Sequence, residues 1–213
     1  MTARIIDGKA VAARVRGEVA EEVRELAART GSTPGLATVL VGEDPASQIY
    51  VGGKQRASAE VGMVPIDRRL PADASAEEIA GELESLNADD AVTGILLQLP
   101  LPGALDGAAL TALIDPRKDV DGLHPLNIGR LASGGKAVTP CTPSGCLIMA
   151  KSVCADLAGL EAVVIGRSSI VGKPMAQLLT RENCTVTLAH SRTRAARFAG
   201  PSGCGICALS PRD

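Results

Sequence analysis

The chain has 213 residues, 46% of them hydrophobic and 22% charged, with a net charge of −2. That balance suits a soluble globular protein of one large or two small domains and gives no electrostatic case for nucleic acid. No stretch approaches the roughly 20 apolar residues that span a bilayer. The opening "MTARIIDGKAVAARVRGEV" also lacks the unbroken apolar core of a signal peptide, so a cytoplasmic location and no membrane partner are expected. The six cysteines are then expected to be thiols, not a disulfide framework.

Val11, Val15, Val19, Val23 and Leu26 keep a helical spacing through residues 9–29, and Gly31 stops the run. "LATVLVG" at 36–42 reads as a strand buried on both faces. Asp44-Pro45 opens a helix that carries Tyr50 and Lys54, with Pro45 in its first turn. "MVPIDRRL" reads as a second strand, pushed to a sheet edge by Pro65. Ser75 to Glu78 form a capping box that starts a helix ending near Asn87. "VTGILLQLPLP" is a third strand, stopped by Pro100 and Pro102. Residues 106–114 read as a short helix, and 115–135 as loop-rich.

A helix resumes after Pro143 in "TPSGCLIMAKSV". "EAVVIGRSSIVGKPMAQLLTREN" then reads as strand, glycine turn and helix, and "CTVTLAHS" as one more strand. The alternation of strand and helix predicts α/β architecture with parallel sheets. After Thr193, "RAARFAGPSGCGICALSPRD" shows no period of 2 or 3.6 and is read as irregular.

Several groups of residues can carry chemistry. Tyr50, the only tyrosine, and Lys54 lie four apart, on one helix face. Gly52 and Gly53 between them each cost about 1 kcal/mol relative to alanine in a helix. Either Lys54 is an ordinary solvated lysine, or the bare glycines let a flat ligand or another backbone approach closely. In an apolar pocket, desolvation favours a neutral lysine amine, which can act as a base. Gln98 ends an otherwise apolar strand, where α/β proteins bind ligands. It is either a buried, satisfied polar group or a site residue.

"DPRKDVDGLHP" gathers Asp115, Asp119 and Asp121 with Lys118 and His124, but the spacing does not match a calcium loop, and the residues themselves suggest a solvated loop. Cys141 and Cys146 flank "TPSG", and Cys204 and Cys207 form one C-x-x-C. With no second such pair, no metal site is expected.

In "VVIGRSSIVGKPMAQLL", Gly166 and Gly172 bracket a polar turn between strand and helix. This layout points backbone N–H groups at a phosphate, although the spacing departs from G-x-G-x-x-G and an ordinary turn would share it. Arg167 and Ser168 suit an anion. Ser191 and Arg192 stand where an NAD site carries an acid, which favours the 2′-phosphate of NADP.

With "YVGGK", "GILLQLPLP", "KDVDGLHP", "TPCTPSG" and "VVIGRSSIVGKP" in order, the chain from about Ile5 to Thr193 resembles one family, the bifunctional methylenetetrahydrofolate dehydrogenase/methenyltetrahydrofolate cyclohydrolases. The resemblance implies an N-terminal α/β catalytic domain over 1–138 and the first half of a Rossmann-type NADP domain over 139–193. Lys54 would be the catalytic lysine, Tyr50 would stack with and orient the folate, and Gln98 would hydrogen-bond Lys54. Leu99 and Pro100 would line the folate site, and Asp121 would hold the pterin ring. Gly166, Arg167, Ser168, Ile170, Ser191 and Arg192 would take NADP.

The implied activity belongs to one-carbon metabolism. 5,10-Methylenetetrahydrofolate is oxidised to the methenyl form, which water opens to 10-formyltetrahydrofolate, in a homodimer. Family members continue past this point with further strands and a final helix. The tail over 194–213 resembles no family segment and reads like out-of-frame translation of a GC-rich gene. Missing sheet neighbours would leave the apolar faces of "VVIG" and "TVTL" open. The alternatives are a non-catalytic remnant, a dimerisation partner of an intact copy, or another Rossmann-type dehydrogenase.

Overall fold

The computed structural model describes residues 5–194 and the backbone of the strand Ile206–Leu209. The chain falls into two compact units, one spanning Asp7–Val120 and the other running from Asp121 onward. Residues 121–138, which the sequence grouped with the first domain, pack with the second unit.

The first unit runs α1 (Gly8–Thr30), β1 (Gly35–Val41), α2 (Pro45–Glu60), β2 (Val64–Leu70), α3 (Ala76–Ala88), β3 (Gly94–Leu97) and α4 (Gly107–Thr111). Its three strands are parallel in the order β2-β1-β3. β1 is central and buried along nearly its whole length, as a continuous apolar run requires. β2, with Pro65, takes the edge, where a missing N–H costs no ladder bond.

On one face of the sheet, Ala37, Val39, Val41, Ile95 and Leu97 pack with Ile79, Leu83 and Leu86 of α3. The capping box of α3 forms as read: the Glu78 N–H donates to Ser75 Oγ, and the Ser75 N–H donates to Glu78 Oε2. α1 has no buried residue, so its valine stripe is only half-covered.

The second unit holds α5 (Pro125–Ala132), α6 (Cys141–Lys151), β4 (Glu161–Ile165), α7 (Gly172–Arg181), β5 (Thr185–Ala189) and β6 (Ile206–Leu209). Its strands are parallel in the order β5-β4-β6. Ala162 and Val164 of β4 pack with Met175 and Leu179 of α7 and with Leu157 and Cys184. Ile165 on the opposite face of β4, and Leu188 of β5, which is in register with Val164, are each 38% exposed.

Three local expectations need correction. First, the loop-rich stretch 115–135 also holds a helix and a bridge to β3. The Ile95 N–H donates to the Lys118 carbonyl beside β3, and Asp119 is buried there. Lys118 Nζ reaches the carbonyls of Leu86, Asn87 and Asp89, the carbonyl-rich end of α3 that needs a cation. Farther on, α5 forms because His124 accepts the Leu126 N–H through Nδ1 and Pro125 takes the first turn.

Second, α6 begins at Cys141, not after Pro143. Pro143 lies in the first turn, where its missing N–H would have had no partner within the helix. Third, the tail after Thr193 is not wholly irregular. Ile206–Leu209 pairs with β4, whose free edge offers unpaired N–H and C=O groups to a short apolar run. The rest of that tail, from residue 195 on and including Cys204, lies outside the described residues.

Candidate active site

The first unit builds its candidate site on α2 and on the end of β3. Asp44 caps α2: its Oδ2 accepts the Ser47 N–H at 2.8 Å. The Ser47 N–H first, and then the Ser47 hydroxyl, hold the Asp44 carboxyl below the usual carboxylate range. Ser47 is buried, and sequence reasoning overlooked it. Two turns into the helix, Tyr50 is 66% exposed and Lys54 is half-buried. Among the described residues nothing stands within 4 Å of a side chain placed at Gly53, and only the Arg56 guanidinium does at Gly52. Packing therefore does not require the glycine pair, and the surface beside Tyr50 and Lys54 is open.

Lys54 Nζ donates to Gln98 Oε1 at 3.4 Å, across 44 residues of chain. Gln98 is the first residue past β3, and its backbone N–H still donates to the Val39 carbonyl of β1. Its side-chain Nε2 donates to the Leu99 carbonyl at 2.6 Å, which leaves Oε1 as the atom facing the lysine. Leu99 and Pro100 follow directly, joined by a cis peptide bond. The structure thus brings Tyr50, Lys54, Gln98, Leu99 and Pro100 to the C-terminal end of one parallel sheet, where such folds bind ligands.

Sequence reasoning also passed over Thr38 and Gln55, whose side chains meet behind Lys54. Thr38 was legible as the only polar residue in an apolar strand.

Asp121 is the first residue of the second unit and is half-buried. Asp115 lies at the end of the first unit, brought down to about 2 by the Arg117 side chain, which hydrogen-bonds it, and then by the Arg117 backbone N–H. It is thus engaged structurally. Among the described residues no three His, Cys, Asp or Glu side chains form a group able to hold a metal ion.

The second unit builds a different site at the C-terminal ends of β4 and β5. Gly166 ends β4 with φ +115°, and its N–H donates to the Ala189 carbonyl of β5. α7 then starts so close to the strand end that a Cβ on Gly172 would overlap the Gly166 carbonyl and the Arg167 backbone. Close helix–strand packing at a glycine, with the start of the helix set against the strand end, is a feature of dinucleotide-binding turns, so these residues fit such a cofactor.

Ser168 Oγ accepts the N–H groups of Val171 and Gly172, and α7 has no carboxylate at its N-terminus. Arg167 and Ile170 are exposed on this turn. Across the register, Ser191 and Arg192 follow β5 in a turn closed by the Arg192 N–H on His190 Nδ1. The sequence-predicted cofactor residues therefore share one end of one sheet. A separate hollow of about 260 Å³, lined by Thr139, Ser144, Leu147, Leu178 and Arg181, lies toward the C-terminal end of α7 and contains none of them.

Comparison with known proteins identifies the family. Residues 6–121 match the tetrahydrofolate dehydrogenase/cyclohydrolase catalytic domain, and residues 140–199 match the NAD(P)-binding domain of the same family. A curated relative from Rhodopseudomonas palustris (strain BisB5), the bifunctional protein FolD, is 59% identical over 194 residues, covering 91% of this chain. This chain spans 66% of that relative's length, just under two thirds.

Among solved structures, the bifunctional dehydrogenase/cyclohydrolase of Campylobacter jejuni is 40% identical, with a TM-score of 0.86 over 90% of this chain and 68% of that one. The Trypanosoma brucei dehydrogenase-cyclohydrolase, solved with NADP and an inhibitor, is 38% identical, with a TM-score of 0.83 over 91% of this chain and 66% of that one. The chain belongs to the tetrahydrofolate dehydrogenase/cyclohydrolase family.

Proposed function

We propose that this protein oxidises 5,10-methylenetetrahydrofolate with NADP and hydrolyses the methenyl product to 10-formyltetrahydrofolate. The observation that carries this reading is the Lys54–Gln98 pair, two polar side chains joined at the end of an apolar strand, beside an open glycine face.

In this reading Tyr50 stacks on the folate, Leu99 and Pro100 line its site, and Asp121 holds the pterin ring. Gln98 orients the Lys54 amine by accepting its hydrogen bond. Lys54 assists proton transfer as water adds to the methenyl carbon, the ring C–N bond opens and a proton is released.

The second unit binds the cofactor. Gly166, Arg167, Ser168 and Ile170 meet it at the strand-to-helix turn, and Ser191 and Arg192 meet the 2′-phosphate. NADP, when bound, supplies the hydride acceptor for the first reaction. By function, as distinct from packing, residues 1–138 then carry the folate chemistry and residues 139–193 the cofactor chemistry. Cys146, Cys154 and Cys184 carry free thiols, which supports a cytoplasmic location. We further propose a homodimer, following the family.

Lys54→Met tests this reading. Loss of a positioned proton-transfer group is expected to slow methenyltetrahydrofolate hydrolysis by about 10²–10⁴-fold, with an unchanged circular dichroism spectrum. Hydrolysis at the parent rate would make Lys54 a surface residue and sink the proposal.

A further inference from the structure

Adjacent residues of β1 hold the two halves of the Lys54–Gln98 pair. The Val39 carbonyl accepts the Gln98 backbone N–H at 2.9 Å. Thr38, next to it, holds the other half: Gln55, the residue after Lys54, donates from Nε2 to Thr38 Oγ1 at 3.1 Å. Thr38 is 1% exposed, and its hydroxyl proton points at the Ile66 carbonyl of β2, 3.5 Å away. One hydroxyl can accept from Gln55 and donate to Ile66 together, so the three groups form a chain with a single sense.

The buried Val51 contributes an apolar anchor to α2. Apolar contact is non-directional and leaves a helix free to slide or roll by fractions of an ångström. A directional bond one residue from Lys54 removes that freedom at the turn where it affects the amine.

We infer that Thr38 and Gln55 are positioning residues that set the reach of Lys54 Nζ to Gln98 Oε1 by tying α2 to the strand that already holds Gln98. The inference rests on the reading of Lys54 as the proton-transfer group. A tie that served stability alone would lower the melting temperature of its variants and leave the lysine's surroundings as they were.

Thr38→Val, Thr38→Ser, Gln55→Met and Gln98→Leu, each in the full chain, test the inference with two readouts. The first is the rate at which acetic anhydride acetylates Lys54, followed by peptide mass against Lys136 and Lys151 in the same sample. The second is kcat and KM for methenyltetrahydrofolate hydrolysis. Thr38→Val and Gln55→Met should each shift Lys54 acetylation about threefold or more toward the Gln98→Leu rate, as expected for directly coupled residues. Thr38→Ser, which keeps the hydroxyl, should restore the parent rate. Added to Gln98→Leu, Thr38→Val should change nothing further, because the pair is already broken.

In the turnover assay, kcat should fall about tenfold with KM little changed, since a displacement of about 1 Å can cost 10²-fold. Parent-rate acetylation in both Thr38→Val and Gln55→Met overturns the inference, whatever their melting temperatures. The expected acetylation pattern in a chain without hydrolase turnover would instead sink the proposed function and leave the positioning intact. Should Thr38→Val fail to fold, Gln55→Met decides alone, because Thr38 then keeps its bond to Ile66.

Discussion

The two units each contain the same local device, a parallel strand, a glycine with positive φ and a helix, and use it in opposite ways. β1 leads through Gly42 (φ +79°) into α2, and β4 leads through Gly166 (φ +115°) into α7. At α2 the helix end is closed: Asp44 places a carboxylate on the first N–H groups, and Pro45 removes a donor. An anion there would meet a charge of its own sign, so in the proposed function the chemistry lies farther along the helix, at the side chains of Tyr50 and Lys54.

At α7 no carboxylate caps the end, a neutral serine hydroxyl takes two N–H groups, and Gly172 lets the helix start against the strand. The positive end of the helix dipole carries no carboxylate there, which suits the phosphate of the proposed cofactor. The difference teaches that the capping residue, more than the supersecondary unit, decides whether such a turn offers side chains or backbone to a ligand.

Gly172→Val should have the largest effect, because its side chain would overlap the Gly166 carbonyl. Overpacking of this kind typically costs about 1–3 kcal/mol. A lower melting temperature together with loss of NADP binding is expected. Normal binding would show that the close approach is unnecessary and would break the comparison.

Ser168→Asp converts the open end to the closed type. The new carboxylate should cap α7 and hold or raise the melting temperature, while NADP affinity falls at least about tenfold through repulsion of phosphate. An unchanged dissociation constant would mean that phosphate does not sit at this helix end.

Arg167→Ala with Arg192→Ala should weaken NADP by about 10–100-fold and leave NAD nearly untouched, since bonds to charged groups contribute about 1.5–3 kcal/mol. Equal losses for both cofactors would assign these arginines to structure.

Asp44→Asn gives the smallest effect and a pH signature. Its carboxyl lies below its ordinary value of 3.8 in the folded chain, held there by the Ser47 N–H and then the Ser47 hydroxyl. That stabilisation is fully present above the ordinary value and fades as pH falls through the folded one. Melting temperatures measured from pH 6 downward should converge for parent and variant in acid. A constant gap would assign the cap no titrating role.

Much of this was legible in local patterns. The Ser75–Glu78 box, the Asp44-Pro45 start of α2 and the alternation of strand and helix are set by residues within a turn of one another, so the sequence alone placed α2, α3 and the parallel strands. Short ordered motifs around Lys54, Gln98 and Gly166 likewise pointed to the family, because each packs its chemistry into a few neighbouring positions.

What the sequence could not display were contacts made across the chain. Lys118 reading as a solvated charge, while it caps α3 from 29 to 32 residues away, is one case. β6, paired with β4, is another. Gln55 meeting Thr38 over 17 residues is the clearest, since neither side chain has any local sign of the other. Capping and periodicity act over one helical turn, and the residues themselves encode them. A hydrogen bond between a helix and a strand exists only once packing has brought both to the same place, and that was decided by the tertiary structure.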